Sequence, residues 1–138
     1  MPDLFIRAIQ DDDIKPVIAL WRDCGLLRPW NEPEKDIAFA RANLNSEVLI
    51  GESGPAVTAA AMVGHDGHRG YVYYVAAHPD VRGQGHGKKI MVAAKDWLVQ
   101  RDVWKMNILI RKGNEKVIAF YEALGAEVEP IVSMGWRF

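Results

Sequence analysis

The chain is 138 residues long, 49% hydrophobic and 25% charged, a balance that suits a globular domain with a real hydrophobic core. Lys and Arg total 17 against 18 Asp and Glu, so the basic excess typical of a nucleic-acid binder is absent. No apolar run is long enough to span a membrane, Met1-Pro2-Asp3-Leu4 has neither the basic region nor the apolar core of a secretion signal, and Cys24 is alone; a cytoplasmic protein without an intrachain disulfide or cysteine metal cluster is expected.

Leu4 to Ile9 alternates as a short strand, and Asp11-Asp12-Asp13 supplies a cap and negative charge for the helix that follows. In that helix Ile14, Val17, Ile18, Trp21 and Cys24 form an inward stripe, with Cys24 read as a buried small hydrophobe; Gly25 is the stop. Leu26 to Pro33, with two prolines and a polar centre, is a loop. Two readings of it stand: an element that closes over a substrate, or a connector whose Trp30 caps the core. Pro33 suits the first position of a second helix, with Ile37, Ala40, Arg41 and Leu44 on one side. Glu47 to Glu52, Ala56 to Val63 and Tyr71 to Ala77 are strands, the last two joined by a hairpin turn at Asp66-Gly67. His65 and His68 flank that turn without a third ligand at a sensible spacing, so no metal site is expected.

Beyond the third of these strands come Arg82-Gly83-Gln84-Gly85-His86-Gly87 and a helix to about Gln100, whose inward stripe is Gly87, Ile90, Met91, Ala94 and Leu98. Trp104 to Ile110 reads as a strand. A helix capped by Asn114 follows, with Val117, Phe120, Tyr121 and Leu124 on one face and Gly125 as its stop; Glu127 to Phe138 reads as one or two strands broken at Pro130. The order predicts an α/β or α+β fold, a single domain over residues 1–138 with a mixed sheet.

Glycines entering a helix N-terminus let backbone amides approach an anion, favoured there by the free N–H groups and the helix dipole. Gly83 to Gly87 is one residue too short for a P-loop, and Lys89 stands where the magnesium-binding hydroxyl belongs. The dinucleotide fingerprint fails from either glycine start. The pattern Arg/Gln-x-x-Gly-x-Gly/Ala fits at every fixed position. It resembles the acyl-CoA pyrophosphate loop of the GCN5-related N-acetyltransferase (GNAT) family. Ala77-His78-Pro79-Asp80-Val81-Arg82 is similar to that family's lead-in, and Asn114 with Ala119-Phe120-Tyr121-Glu122-Ala123-Leu124-Gly125-Ala126 to its second signature helix.

The resemblance covers Leu4 to Phe138 and implies a GNAT fold: a mixed, mostly antiparallel sheet of about six or seven strands with about four helices. It implies an N-acetyltransferase that moves an acetyl group from acetyl-CoA, as co-substrate, to a small-molecule or protein amine by direct attack in a ternary complex. A non-catalytic acyl-CoA-sensing module is the alternative. The implied cofactor contacts are Val75, Ala76 and Ala77 toward pantetheine, and Arg82, Gly83, Gln84, Gly85, His86, Gly87 and Lys88 toward the diphosphate, with Asn114 and Tyr121 beside them. Lys88 and Lys89 are either CoA-phosphate contacts or a solvated helix face. Tyr121 matches the family's proton donor to the leaving thiolate, the other reading being a core aromatic.

The family's strand glutamate has no counterpart in Tyr71 to Val75. The base is left open between Tyr73 or Tyr74 ordering water, Glu32, Glu34 or Asp36 reaching in, and an amine that arrives deprotonated. Tyr73 is carried as the catalytic candidate. Trp30, Asn31, Glu32 and Asp36 are the candidate acceptor site, since acids there suit a cationic amine. The terminal strands are candidate homodimer edges, and no nucleic-acid or membrane partner is expected.

Overall fold

A computed structural model describes residues 3–138; Met1 and Pro2, part of the stretch read above for a secretion signal, lie outside the described residues. The chain forms two compact units, Met1–Ile108 and Leu109–Phe138.

The first unit is built on one mixed sheet of five strands in the order β1 (Leu4–Ala8), β2 (Ser46–Ser53), β3 (Ala56–His65), β4 (Gly70–Ala77) and β5 (Met106–Ile108). Neighbours pair antiparallel except β4 and β5, which run parallel. Three helices complete it: α1 (Ile14–Asp23), α2 (Pro33–Arg41) and α3 (His86–Val99).

Val17, Ile18 and Trp21 of α1, with Ile37 and Ala40 of α2, pack on Val48, Ile50, Ala60 and Ala76 of the sheet. Strand alternation sends Leu49, Ala59, Ala61 and Val63 to the opposite face, where α3 packs on β3 and β4. A run of small side chains in β3 lets that helix come close. Gly70 is the tightest point, since a Cβ there would lie 2.5 Å from Leu98 Cδ1 of α3.

Several expectations are corrected here. Asp13 does not cap α1 with its side chain; it ends a 3₁₀ turn, accepts the Gln10 amide at 2.7 Å and takes two bonds from Arg7, at 2.6 and 3.0 Å. Arg7 also bonds Glu52. The guanidinium holds the Asp13 carboxyl below the usual carboxylate range. Helix α2 stops at Arg41, so Leu44 lies beyond it and is exposed. Strand β5 is confined to Met106–Ile108.

The sheet holds five strands, not six or seven, and Glu127 to Phe138 forms no strand among the described residues. Pro130 removes a donor, and Val128, Ile131, Val132, Met134, Trp136 and Phe138 are exposed, so neither a ladder nor a buried face holds that segment extended. The strands on which the homodimer expectation rested are therefore not formed. The second unit has α4 (Glu115–Ala123) as its helix, closed by Gly125 at φ 98°. No helix among the described residues is long and apolar enough to cross a membrane.

Candidate active site

Strand β4 and the turn after it carry the site. Met62 of β3 pairs with Tyr73, but Ala60 pairs with Ala76, so β4 has one residue more than its partner between those points. That extra residue is a β-bulge, and Tyr74 sits in it at φ 54°, a left-handed conformation that costs a residue with a side chain about 1–2 kcal/mol. Regular alternation would put Tyr73 and Tyr74 on opposite faces. The bulge cancels that: Tyr73 shares the face of its partner Met62, and Met62 and Tyr74 pack against the same α1–α2 core cluster. Tyr74 therefore turns toward the two helices.

The Tyr74 ring stacks on Trp21 with centroids 4.1 Å apart and planes 15° apart, and its hydroxyl donates to Asp36 Oδ2 of α2 at 2.7 Å. Trp21 is fully buried and its indole N–H has no acceptor, so stacking and packing rather than a hydrogen bond hold it. Partial burial, then the Asp36 carboxylate, push the Tyr74 phenol well above its ordinary value, keeping it a donor. Tyr73 is exposed, lies alongside Tyr71 with centroids 6.2 Å apart, and is pushed up chiefly by partial burial.

The same region is where the sheet opens. β4 and β5 pair only at Gly70–Met106, Tyr71–Asn107 and Val72–Ile108. From Tyr73 to Ala77 the side of β4 away from β3 has no partner strand among the described residues, leaving a backbone edge at Val75, Ala76 and Ala77.

Past that edge the chain makes a 3₁₀ turn, Pro79–Val81. The His78 ring accepts the Asp80 amide at 3.1 Å, and the His78 amide donates to Thr58 O at 2.8 Å. Gly83 and Gly85 both adopt φ 81°, where only glycine sits without strain, and a Cβ on either would meet nothing within 4 Å. The first bond into α3 runs from the Lys89 amide to Gly85 O at 2.9 Å. The amides of His86, Gly87 and Lys88 precede it and have no acceptor within the helix. The Gln84 amide is spent on Val81 O at 3.2 Å. Arg82, Gly83, Gln84, Gly85, Lys88 and Lys89 are exposed.

His86 is different. Its ring is buried and lies 2.9 Å, Nδ1 to Oγ1, from Thr58 of β3. Burial first, then Lys89, lowers its pKa and favours the neutral ring. Its side chain thus ties the loop to the sheet, and only its amide faces the loop. Sequence reading had no signal for this link across 28 positions.

On the α1–α2 side, Trp30 is half exposed in the loop, Glu32 pairs with Lys35 at 3.2 Å on the surface, and the Asn31 amide donates to Arg28 O at 3.0 Å. Of the four acceptor candidates, Asp36 is the one the fold brings to β4. Cys24 is half-buried, donates to Ala77 O at 3.3 Å, and is pushed up by burial, so it stays a thiol and offers no nucleophile.

In the second unit, Asn114 precedes α4 and its carbonyl takes the Ile118 amide at 3.1 Å, but its side chain makes no capping bond. Tyr121 is buried, with the Phe120 ring edge-on at 5.0 Å, and burial pushes its phenol up to about 12. It is protonated across the physiological range. Phe120 and Leu124, on the same predicted face, are exposed.

A mixed sheet parts between two parallel strands, and a glycine turn into a helix N-terminus follows. The chain belongs to the acetyltransferase (GNAT) family, whose model matches residues 8–126. An acetyltransferase of Yersinia pestis (strain Pestoides F) is 41% identical over 133 residues, covering 96% of this chain and 94% of that one. An acetyltransferase of Sodalis glossinidius (strain morsitans) is 39% identical over 127 residues, covering 92% and 89%. Among solved structures, AAC(6')-Iy in complex with the bisubstrate analogue CoA-S-monomethyl-acetylneamine matches with a TM-score of 0.83 at 14% identity, covering 99% of both chains. The glucosamine-6-phosphate N-acetyltransferase of Arabidopsis thaliana matches with a TM-score of 0.77 at 17% identity, covering 97% of this chain and 98% of that one. The protein is thus an acetyltransferase of the GNAT family, with the fold of these two structures.

Proposed function

We propose that the protein moves the acetyl group of acetyl-CoA to an amine by direct attack in a ternary complex. One observation carries this reading: two left-handed glycines deliver the free amides of α3 immediately after a strand edge that has lost its neighbour. The diphosphate is held by the amides of Gly83, Gly85, His86, Gly87 and Lys88, helped by the positive end of the helix. Arg82 adds a positive charge, Gln84 lines the turn, and Val75, Ala76 and Ala77 pair with the pantetheine amides as a missing strand would. Asn114 is a further cofactor contact by the family resemblance.

The amine nitrogen attacks the thioester carbon and gives up a proton to a base or water, the C–S bond breaks, and the electron pair leaves on sulfur. Tyr121, a phenol that keeps its proton below a pKa of about 12, donates to that thiolate. Tyr73 orders water at the opening, and Trp30, Asn31 and Glu32 form the acceptor's rim. Rate enhancement comes chiefly from holding the two substrates together and from fixed dipoles. AAC(6')-Iy takes a bisubstrate analogue of CoA and acetylneamine, and the Arabidopsis enzyme acts on an amino sugar phosphate, which supports a small-molecule amine here.

Two measurements test the proposal. Acetyl-CoA is expected to raise the melting temperature where ATP and NAD do not. Thiol release from acetyl-CoA over an amine panel is expected only when an acceptor is present. A protein stabilised equally by all three nucleotides, or by none, refutes the reading.

A further inference from the structure

The hydrogen bond between Tyr74 and Asp36 joins β4 to α2 at the point where β4 loses β5. No carboxylate lies on β4 between Gly70 and Ala77, so an acidic group at the opening of the sheet must come from another element. Asp36 is that group. Glu32 is engaged with Lys35 on the surface and Glu34 is exposed, whereas Asp36 is partly buried and tied to the strand.

Three features make this more than a chance contact between a helix and a strand. Tyr74 reaches α2 only because of the bulge, and the bulge requires a strained left-handed conformation at a tyrosine. Stacking on the buried Trp21 fixes the ring, so the hydroxyl is presented rigidly. Finally, the hydroxyl bonds Oδ2, which leaves Oδ1 for a second donor.

We infer that Asp36, oriented by the Tyr74 hydroxyl at the strand bulge, receives the acceptor: its carboxylate pairs with an aliphatic ammonium and takes the proton that the nitrogen must shed before it can attack. This rests on the transfer reaction proposed above and names its acceptor class, a basic aliphatic amine. Asp36 Oδ1 takes one proton from the ammonium, and the N–H electron pair left on nitrogen then forms the C–N bond. The C–S bond breaks with its pair on sulfur, the second proton lost from nitrogen balances the one that sulfur takes up to become the free thiol, and Asp36 returns the first proton to water. Tyr74 does not touch the reacting atoms in this scheme; it is a positioning residue.

The test compares ethylamine, which arrives charged, with 2,2,2-trifluoroethylamine, which is nearly the same shape but arrives largely neutral. Asp36→Asn keeps an oxygen for the Tyr74 hydroxyl and removes the proton acceptor. It is expected to lower kcat/KM for ethylamine about 100-fold or more, the lower range of general base catalysis, with a much smaller loss for the fluorinated amine. The thermal shift with acetyl-CoA should match that of the wild-type protein. Tyr74→Phe, which keeps the ring on Trp21, should show the same selectivity of loss at about ten-fold, one hydrogen bond to a charged group. Equal losses on both amines, or none, overturn the inference while leaving the transfer reaction standing. If Asp36→Asn also loses the acetyl-CoA shift, Tyr74→Phe decides alone by the same criterion. A wild-type protein that acetyl-CoA does not stabilise defeats the underlying reading instead.

Discussion

Replacing Gly85 with alanine separates the conformational work of the glycine turn from its ligand contact. Gly85 has φ 81°, and a Cβ there meets nothing within 4 Å, so the added methyl clashes with no protein atom. The cost to the ligand-free protein is the left-handed backbone alone, about 1–2 kcal/mol. At this chain length that is a fall of about 3–8 °C in Tm. The open space beside Gly85 is the space a diphosphate occupies in the proposed complex. A methyl group that weakens acetyl-CoA ten-fold cuts the stabilisation at a fixed ligand concentration from about 2.7 to about 1.4 kcal/mol, taking 100 times the wild-type Kd as that concentration. The thermal shift on adding acetyl-CoA then falls from about 10 °C to about 5 °C. Gly67→Ala is the control. Gly67 has φ 87° and the same empty surroundings, but it lies in the hairpin turn before β4, at the opposite end of that strand from the glycine loop. It should lower the ligand-free Tm similarly and keep the full acetyl-CoA shift. An undiminished shift in Gly85→Ala would refute the assignment of the loop as the diphosphate cradle.

Tyr121→Phe is expected to lower kcat about 100-fold with acetyl-CoA affinity unchanged. Because burial raises the phenol to about 12, ionisation of Tyr121 should cause no loss of rate up to about pH 10.5, and wild-type turnover in the variant would remove Tyr121 from the mechanism. Trp30→Ala should raise the acceptor KM, and an unchanged KM counts against the loop as an acceptor element. His86 favours its neutral ring in the fold, so the native state binds fewer protons than the unfolded chain. Its contribution to stability is present above the unfolded value of about 6.5 and is lost as pH falls through the lower folded value. His86→Asn should therefore flatten the decline in Tm on acidification from pH 7, and a slope equal to that of the wild-type protein would contradict the buried Thr58–His86 pair.

What the sequence determined by itself is what a short stretch of backbone decides. Gly83 and Gly85 admit a left-handed backbone because they lack a Cβ, and both take it. Val17, Ile18 and Trp21, or Ile90, Ala94 and Leu98, mark an inward face by spacing, and each is buried. Asp66-Gly67 turns the chain because the Asp66 carboxylate accepts the His68 and Arg69 amides, each at 2.8 Å. The glycine loop and its neighbouring signatures were enough to point to the family.

Tertiary structure decided the features that depend on partners far along the chain. The bulge at Tyr74 exists only as a mismatch with β3, and it chooses Tyr74 over Tyr73 as the residue that meets Asp36, 38 positions away. The family resemblance placed His86 among the cofactor contacts, but its ring is buried 2.9 Å from the Thr58 hydroxyl of β3. Glu127 to Phe138 read as one or two strands, and none formed there among the described residues. A β-strand needs an edge to pair with as well as the right side chains, and no local pattern says whether that edge is there.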